Sequence, residues 1–267
     1  MMSEVAKYYD QNAHREWDRL STHYSQVEFE TTMYLIKKYF PVSGKIMDIG
    51  SGPGRYSVEL ASMGYDMTLV DISKEELKIA EEKMTSEGFK GDYIHKSATD
   101  LSEIPDDSFD GVLLLGPMYH LHELHERLSV LHDVRRILKD GGTAIIAYIN
   151  TLGVLKSSVF ECPDVFEDLS KLEDYMTGDL KLSHEESFTT AYFTTPENAL
   201  EEVRASSLHL LSYAGAESFL SGMHLEMKSL YEQSKTLYKN YLEMACRCCE
   251  KPEYRQATEH LTIVVRK

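Results

Sequence analysis

The residues with the clearest chemical meaning in this 267-residue sequence form a glycine-rich loop. A short apolar run, Lys45–Ile49, leads into Gly50-Ser-Gly52-Pro-Gly54, and a helical pattern begins directly after it. Glycine allows a backbone to turn sharply and to approach a ligand closely, and the first turn of a helix offers free N–H groups. In an open α/β sheet, nucleotides bind at such a loop, outside the carboxyl end of a strand.

An acidic residue further along the chain supports the same interpretation. Asp71 lies near the end of a second apolar run, Met67–Ile72, 21 positions after Gly50. A carboxylate there can accept hydrogen bonds from both hydroxyls of a ribose. A strand, a glycine loop, a helix and a distal acid in this order favour a nucleotide site over a simple tight turn.

Two residues beside the glycines bear on which nucleotide binds. The dinucleotide fingerprint G-x-G-x-x-G requires a glycine where Arg55 stands. Asp48 would place a carboxylate near the pyrophosphate of NAD, whereas a carboxylate at this position suits a cationic ligand. The loop is therefore less typical of NAD binding than of a positively charged nucleotide ligand.

These residues resemble motif I of the class I S-adenosylmethionine-dependent methyltransferases, and Leu69-Val-Asp71-Ile-Ser resembles motif II of that family. Further likenesses lie at 97–110, 115–120 and 135–142. The resemblance covers about 45–150 well and the last two predicted strands loosely. It implies S-adenosylmethionine as the cofactor and a seven-stranded sheet whose last strand runs antiparallel.

The resemblance also implies a role for each residue of the cofactor site. The glycine loop contacts the methionine part of the cofactor, Asp48 reaches its ammonium group and Asp71 holds the ribose. Ser97 stands where an acid usually accepts a hydrogen bond from adenine, and a hydroxyl accepts more weakly. The cofactor-binding residues predicted in this way are Tyr9, Asp48, Gly50, Ser51, Gly52, Gly54, Asp71, Ile72, Ser97, Ala98, Leu115 and Gly116.

Two residues that follow the fourth predicted strand are candidates for chemistry at the methyl acceptor. His120 titrates near neutral pH and could act as a general base, and Tyr119 could orient the acceptor. Alternatively, both residues pack in the first turn of the next helix. Enzymes that methylate exocyclic amines of nucleic-acid bases have (Asn or Asp)-Pro-Pro-(Tyr or Phe) where this chain has Gly116-Pro-Met-Tyr119. This departure favours a small-molecule acceptor.

The composition limits the partners and the compartment. The chain has 28 basic and 44 acidic residues and a net charge of −16, which disfavours binding to nucleic acid and to an anionic membrane surface. Its apolar runs are too short to span a bilayer, and the sequence opens without the apolar core of a leader peptide. The cysteines are not spread like a disulfide framework. We expect a cytoplasmic protein without a membrane or nucleic-acid partner.

Two clusters of metal-ligand residue types lack the spacing of a metal site. His122-Glu-Leu-His125 does not fit the H-E-x-x-H pattern of zinc-binding helices. Cys246-Arg-Cys248-Cys249 lacks the C-x-x-C pairs of a structural zinc site. We therefore predict that the protein has no metal site.

The elements that must position these residues alternate between strand and helix. This alternation predicts an α/β, Rossmann-like fold, with helices on both faces of a mostly parallel sheet. Ser73-Lys-Glu-Glu76 is a capping box that begins the helix after the second strand, and a further helix is predicted over Met118–Leu138. The predicted strands are Lys45–Ile49, Met67–Ile72, Asp92–His95, Asp110–Leu115, Thr143–Ile149, Leu208–Ala214 and His260–Arg266.

Other segments precede and interrupt the alternation of strands and helices, so that the chain divides into four parts. Residues 1–44 are predicted to be an N-terminal helical lid and 45–150 the cofactor-binding core. Residues 151–194 are predicted to be a helical insertion after strand five, and 195–267 the C-terminal part of the core sheet. The insertion is rich in aromatic residues and is expected to roof the acceptor pocket, which suits a small, partly apolar substrate.

These observations predict a methyltransferase that uses S-adenosylmethionine to methylate a small-molecule acceptor by in-line displacement. In such a reaction the protein mainly aligns the acceptor and excludes water. Two alternatives stay open: a methyltransferase-like protein that binds the cofactor without catalysis, and an NAD-dependent oxidoreductase, which Arg55 disfavours. Either a monomer or a homodimer fits the sequence.

Overall fold

A mixed β-sheet forms the centre of the fold. The computed structural model describes residues 3–267, except for the side chain of Lys171. The strands are β1 (Lys45–Ile49), β2 (Asp66–Asp71), β3 (Gly91–His95), β4 (Phe109–Leu114), β5 (Leu138–Asn150), β6 (Asp179–Leu182), β7 (Ala191–Thr194), β8 (His209–Gly215) and β9 (His260–Arg266). The helices are α1 (Glu4–Arg19), α2 (Ser25–Tyr39), α3 (Arg55–Ser62), α4 (Lys74–Ser86), α5 (Leu124–Ile137), α6 (Thr151–Glu161), α7 (Ser170–Thr177), α8 (Pro196–Ala205), α9 (His224–Gln233), α10 (Lys235–Cys248) and α11 (Pro252–Arg255). Within the described residues, no helix is long and apolar enough to cross a membrane.

Most of the described strands make up the predicted core sheet, in the order β3-β2-β1-β4-β5-β9-β8. β1 to β5 run parallel to one another, and β9 lies antiparallel between β5 and β8. The predicted mostly parallel sheet with an antiparallel last strand is therefore confirmed, but the described sheet has nine strands rather than seven, because β6 and β7 extend it. Its carboxyl-end edge is where the glycine loop and Asp71 lie.

The insertion 151–194 contains two strands that its sequence pattern did not predict. Besides α6 and α7 it forms β6 and β7, which pair antiparallel with each other. β5 continues beyond its last β4 partner, and β7 pairs with its final residues, Ile149 and Asn150. This pairing buries the Ala191 and Phe193 side chains and joins the insertion to the core sheet.

Apolar helices on both faces explain why the core strands are nearly continuous apolar runs. On one face, α5 and α8 pack against β4 and β5 through residues such as Val134 and Val203. On the other face, α2, α3 and α4 pack against β1 and β2 through residues such as Leu35, Leu60 and Met84. Helices cover both faces of the sheet, as predicted.

The segment between β4 and α5 corrects the prediction of a helix over Met118–Leu138. It forms a 3-10 turn at Pro117–Tyr119, and α5 begins only after a further irregular stretch. The Arg127 guanidinium accounts for the delay, because its Nη1 donates to the carbonyls of Leu121 (2.8 Å) and His122 (2.9 Å). A continuous helix would need those carbonyls for its own N–H groups.

The same arginine belongs to a buried ion pair that joins three elements. Arg127 of α5 and Glu202 of α8 are 3% and 7% exposed, and Arg127 Nη2 donates to Glu202 Oε1 at 2.7 Å. The hydroxyl of Tyr148 in β5 donates to the other carboxylate oxygen at 3.0 Å. Removing one partner of such a pair leaves a buried charge without compensation. Arg127 therefore fixes both the packing of α5 and the irregular stretch after β4.

We expect Arg127→Met to lower the free energy of unfolding by about 3–5 kcal/mol, because Glu202 would be left buried and unpaired. Urea denaturation followed by circular dichroism measures this change. The double variant Arg127→Met/Glu202→Met should recover much of the loss. Arg247→Met removes a solvent-exposed ion pair with Glu243 and should have a much smaller effect. An equal effect of the two single substitutions would contradict this account.

Candidate functional site

A cavity of about 1050 Å³ opens beyond the carboxyl ends of β1, β2 and β4. Its volume is at the upper end of the usual range for small-molecule sites, about 300–1,000 Å³. The glycine loop and the end of β2 form one wall, and α1 together with residues 188–190 of the insertion forms the roof. The cavity continues past Tyr119 and His120 to Ile149 and His260, so a single space connects the two predicted subsites.

The backbone of the glycine loop is left-handed at all three of its glycines, and side-chain space is also lacking at two of them. Gly50 and Gly54 have φ angles of +71° and +83°, in the left-handed region that disfavours other residues. A Cβ on Gly50 would lie 2.5 Å from Pro117 Cδ, and one on Gly54 would lie 3.0 Å from Ala80 Cβ. Of the predicted cofactor residues, Gly54 is the one that does not line the cavity; it precedes α3 and packs against α4.

Asp71 is buried at the end of β2, and its carboxylate faces the glycine loop. Its Oδ2 accepts from the Gly52 N–H and its Oδ1 from the Ser73 N–H, both at 2.8 Å. Burial raises the pKa of Asp71 to about 6, although these two backbone hydrogen bonds oppose the shift. Each oxygen keeps acceptor capacity for a ligand hydroxyl. Asp71 is therefore both a support for the loop and a potential ligand contact.

Asp48 is a second carboxyl buried beneath the loop, with 2% of its surface exposed. It accepts a hydrogen bond from Ser57 Oγ at 2.7 Å. Burial raises the pKa of Asp48 to about 7, and the proximity of Asp71 adds to the rise. A cation bound nearby would favour the ionised form of this group, which agrees with the cationic ligand predicted from the sequence.

The predicted adenine-side residues lie at the next part of the cavity wall. Ser97 and Ala98, predicted beside adenine, line the cavity, as do Ile72 and Leu115 among the other predicted cofactor residues. The Ser97 hydroxyl is engaged in a local turn, where it accepts from the Thr99 N–H at 3.2 Å and lies 2.9 Å from the Thr99 hydroxyl. Its remaining capacity to accept from a ligand amine is correspondingly small.

His120 joins the two parts of the roof. Its Nδ1 lies 2.8 Å from the carbonyl of Thr190 in the insertion, and its Nε2 lies 2.8 Å from the hydroxyl of Tyr9 in α1. Because a carbonyl can only accept, Nδ1 carries the hydrogen and Nε2 accepts from the Tyr9 hydroxyl. Burial lowers the pKa of His120 to about 4. The imidazole is therefore neutral near pH 7 and holds α1 to the insertion.

Tyr119 lies beside His120, but its hydroxyl is directed back towards β4. It donates to the Leu115 carbonyl at 2.8 Å, and burial raises the pKa of Tyr119 above its usual range. The ring packs with Ile149 and Phe193 in a small apolar cluster. Tyr119 thus shapes the cavity wall between the two predicted subsites.

The far wall of the cavity carries a charged group that the sequence did not predict. Arg19 Nη1 lies 3.3 Å from Glu28 Oε2, and His260 Nδ1 lies 2.7 Å from Glu217 Oε1. Although burial opposes the shift, the carboxylates of Glu28 and Glu217 raise the pKa of His260 to about 9. These residues lie on α1, α2, β9 and the segment after β8, so no local sequence pattern connects them.

Two groups of potential metal ligands occur near this wall, although the sequence predicted no metal site. They are Glu28, Glu217 and His260, and Glu161, His224 and Glu259, with the ligand atoms of each group within 4.8 Å of one another. In the first group the charged His260 and Arg19 balance the two carboxylates. In the second, Glu259 accepts from the Tyr24 hydroxyl and the Gly222 N–H. These contacts account for both groups, and the absence of a metal stays a prediction.

Comparisons with known proteins point to a methyltransferase domain. Residues 46–142 match the family model described as a methyltransferase domain. A ubiquinone biosynthesis O-methyltransferase of Nitrosococcus oceani is 30% identical over 156 residues, covering 55% of this chain and 62% of that protein. The chain spans between 41% and 62% of the lengths of the first curated relatives that it matches.

Solved structures show the same fold at low sequence identity. A putative S-adenosylmethionine-dependent methyltransferase from Listeria monocytogenes has a TM-score of 0.59 at 17% identity, with 89% of this chain and 98% of that chain covered. The Burkholderia thailandensis 1,6-didemethyltoxoflavin-N1-methyltransferase was solved with bound 1,6-didemethyltoxoflavin and S-adenosylhomocysteine. Its TM-score is 0.57 at 16% identity, with 98% of this chain and 87% of that chain covered.

We expect His120 to remain neutral, with its hydrogen on Nδ1, between about pH 5.5 and 8. The physical reason is that burial lowers its pKa to about 4, and the neutral form dominates above that value. Two-dimensional ¹H–¹⁵N spectra of the histidine rings measure the tautomer directly, with the exposed His14 as the internal reference. Titration of His120 with a midpoint near the free-histidine value of about 6.5 would contradict the buried arrangement.

Proposed function

We propose that this protein methylates a small-molecule acceptor with S-adenosylmethionine, because residues 46–142 match a methyltransferase-domain model and the glycine loop resembles motif I of the class I family. The observation that carries the proposal is the continuity of the cavity. The glycine loop and Asp71 stand at one end and a polar wall with His260 at the other, with Tyr119 between them. Such a space accommodates a donor and an acceptor at once.

The residues around the glycine loop fit S-adenosylmethionine better than NAD. Asp71 keeps acceptor capacity for ribose hydroxyls, and Asp48 offers a carboxyl to an ammonium group. The pyrophosphate of NAD would bring two negative charges close to these groups, whereas S-adenosylmethionine carries positive charges. This difference disfavours the oxidoreductase alternative.

Bound S-adenosylmethionine supplies an already activated methyl group, which an acceptor takes in line with the departing sulfur. The contribution of the chain is to align the acceptor and to exclude water. Tyr8 of α1 meets Phe188 of the insertion edge to face, with ring centroids 5.5 Å apart, and Tyr9 closes the roof through His120. The roof of the cavity is therefore partly aromatic, while its far wall is polar.

We assign His120 primarily to positioning rather than to strong base catalysis. A pKa of about 4 makes the buried imidazole a weak base, and both of its nitrogens are engaged with the roof. Because Nε2 already accepts from the Tyr9 hydroxyl, an acceptor would have to displace that bond to give a proton to His120 directly. An acceptor that ionises readily by itself needs the least help from such an arrangement.

The acceptor that suits the far wall is polar. Arg19 and His260 contribute positive charge there, and Glu28 contributes negative charge. A small molecule with polar or charged groups would replace its hydrogen bonds to water with contacts to these side chains. The net charge of −16 disfavours nucleic acid as the acceptor.

Isothermal titration calorimetry with S-adenosylmethionine, S-adenosylhomocysteine and NAD tests the proposed cofactor. We expect binding of the first two compounds and none of NAD. Asp71→Ala should weaken binding by about 10-fold or more, because a charge-assisted hydrogen bond is worth about 1.5–3 kcal/mol. Asp66→Ala, at an exposed position of the same strand, is the matched control and should bind as the wild type does.

Two results would contradict the proposal. Binding of NAD alone would favour the oxidoreductase alternative and would make Arg55 a misleading signal. If the correctly folded protein binds none of the three compounds, the proposed reaction has no cofactor. Transfer of a labelled methyl group to a screened acceptor then separates an enzyme from a protein that only binds the cofactor.

A further inference from the structure

The Glu76 side chain is buried, and it does not make the hydrogen bond that its sequence pattern predicts. The pattern Ser73-Lys-Glu-Glu76 predicts a capping box, in which the glutamate side chain would accept from the Ser73 N–H. Half of the box forms, since Ser73 Oγ accepts from the Glu76 N–H at 3.2 Å. The other half does not, because the Ser73 N–H donates to Asp71 Oδ1 instead. The Glu76 side chain is thereby released from the helix cap.

The released carboxyl lines the cavity without a protein partner. Glu76 is 2% exposed, and its Oε1 is a buried atom with no hydrogen-bond partner among the described residues. A buried carboxyl in this condition is unfavourable for the folded state, and an apolar side chain of similar size would pack there at lower free energy. A ligand with hydroxyl groups would supply the missing partner.

Glu76 and Asp71 stand on either side of Gly52. The Gly52 N–H donates to Asp71 Oδ2 at 2.8 Å, and a Cβ on Gly52 would lie 3.5 Å from Glu76 Oε2. The two carboxyls therefore approach the same part of the cavity. Because Gly52 has no side chain, nothing from this residue separates the Glu76 carboxyl from a ligand that rests on the loop.

The two carboxyls are chemically complementary. Asp71 already accepts two backbone hydrogen bonds and offers further acceptor capacity. Burial, together with the proximity of Asp71, raises the pKa of Glu76 to about 10. At neutral pH Glu76 is therefore a carboxylic acid, which can donate through its O–H as well as accept. A pair of adjacent hydroxyls, each both a donor and an acceptor, satisfies the two groups together.

We propose that Glu76 is a second ribose-binding residue, which holds one hydroxyl of the nucleoside of S-adenosylmethionine while Asp71 holds the other. This inference rests on the proposed function, because the ribose is that of the proposed cofactor. The site then requires both hydroxyls, and a ribose that lacks one hydroxyl loses a partner at one specific carboxyl.

The test compares Glu76→Met and Glu76→Ala with the matched control Glu75→Ala, an exposed position in the same turn of α4. The ligands are S-adenosylhomocysteine and its 2′-deoxy and 3′-deoxy analogues, and calorimetry measures their Kd. We expect both Glu76 variants to bind S-adenosylhomocysteine at least about 10-fold more weakly. Removing the ribose hydroxyl that Glu76 holds should weaken binding to the wild type. The same removal should have little effect on binding to the Glu76 variants, which have already lost that contact. Glu75→Ala should behave as the wild type for every ligand.

A second readout uses the ligand-free protein. Glu76→Met should raise the Tm, since it replaces an unpartnered buried carboxyl by an apolar side chain of similar length. Glu76→Gln keeps a donor and an acceptor and should retain most of the affinity. If Glu76→Met does not fold, Glu76→Ala is used for the same comparison of analogues.

Several results would overturn the inference. Wild-type affinity for S-adenosylhomocysteine in the Glu76 variants would show that the carboxyl does not contact the ligand. Equal losses for all three ligands, with no dependence on either hydroxyl, would show a purely structural role. If the wild type and Glu75→Ala bind no S-adenosylhomocysteine, the proposed function itself fails, and the inference fails with it.

Discussion

Three carboxyl groups, those of Asp48, Asp71 and Glu76, are buried around one glycine loop, and the site depends on how each is compensated. Water solvates these buried groups poorly, and burial raises the pKa of each. Asp48 is compensated by Ser57 and Asp71 by two backbone N–H groups, whereas Glu76 Oε1 has no protein partner within the described residues. A ligand that brings both hydroxyls and positive charge complements this set of groups.

The sheet makes this concentration of carboxyls sterically feasible. β1 and β2 end side by side, so Asp48 and Asp71 approach the loop from adjacent strands. Gly50 occupies a left-handed conformation in close contact with Pro117, which ties the loop to the segment after β4. Tyr119 and His120, which are predicted to lie near the acceptor, belong to that segment. The position of the loop and the position of Tyr119 are thus set by one contact.

The roof depends on a different interaction, the pair of hydrogen bonds at His120. Through them a neutral imidazole connects the Tyr9 hydroxyl of α1 with the Thr190 carbonyl of the insertion. These two parts of the chain are far apart in sequence and meet at one side chain. His120 in turn directly precedes the irregular stretch that Arg127 holds in place from α5. The ion pair of Arg127 with Glu202 therefore supports the roof as well as the core.

The sequence predicts the parts of this arrangement that are encoded locally. The short apolar runs and the glycine loop were sufficient for the core sheet, its helices and most of the cavity wall around the loop. The sequence does not reveal features that depend on contacts between residues far apart in the chain. Arg127 delays α5 through carbonyls that no periodicity reveals, and β6 and β7 are only four residues each. The pairing of Glu28 with Arg19 and its proximity to His260 arise from three separate elements.

A crystal structure with bound S-adenosylhomocysteine tests the central claim most directly. The account predicts the ligand in the cavity beyond β1 and β2, with its two ribose hydroxyls at hydrogen-bond distance from the carboxyls of Asp71 and Glu76. Its amino acid part should lie along the glycine loop, near Asp48. A ligand bound elsewhere, or one whose ribose contacts neither carboxyl, would contradict the account.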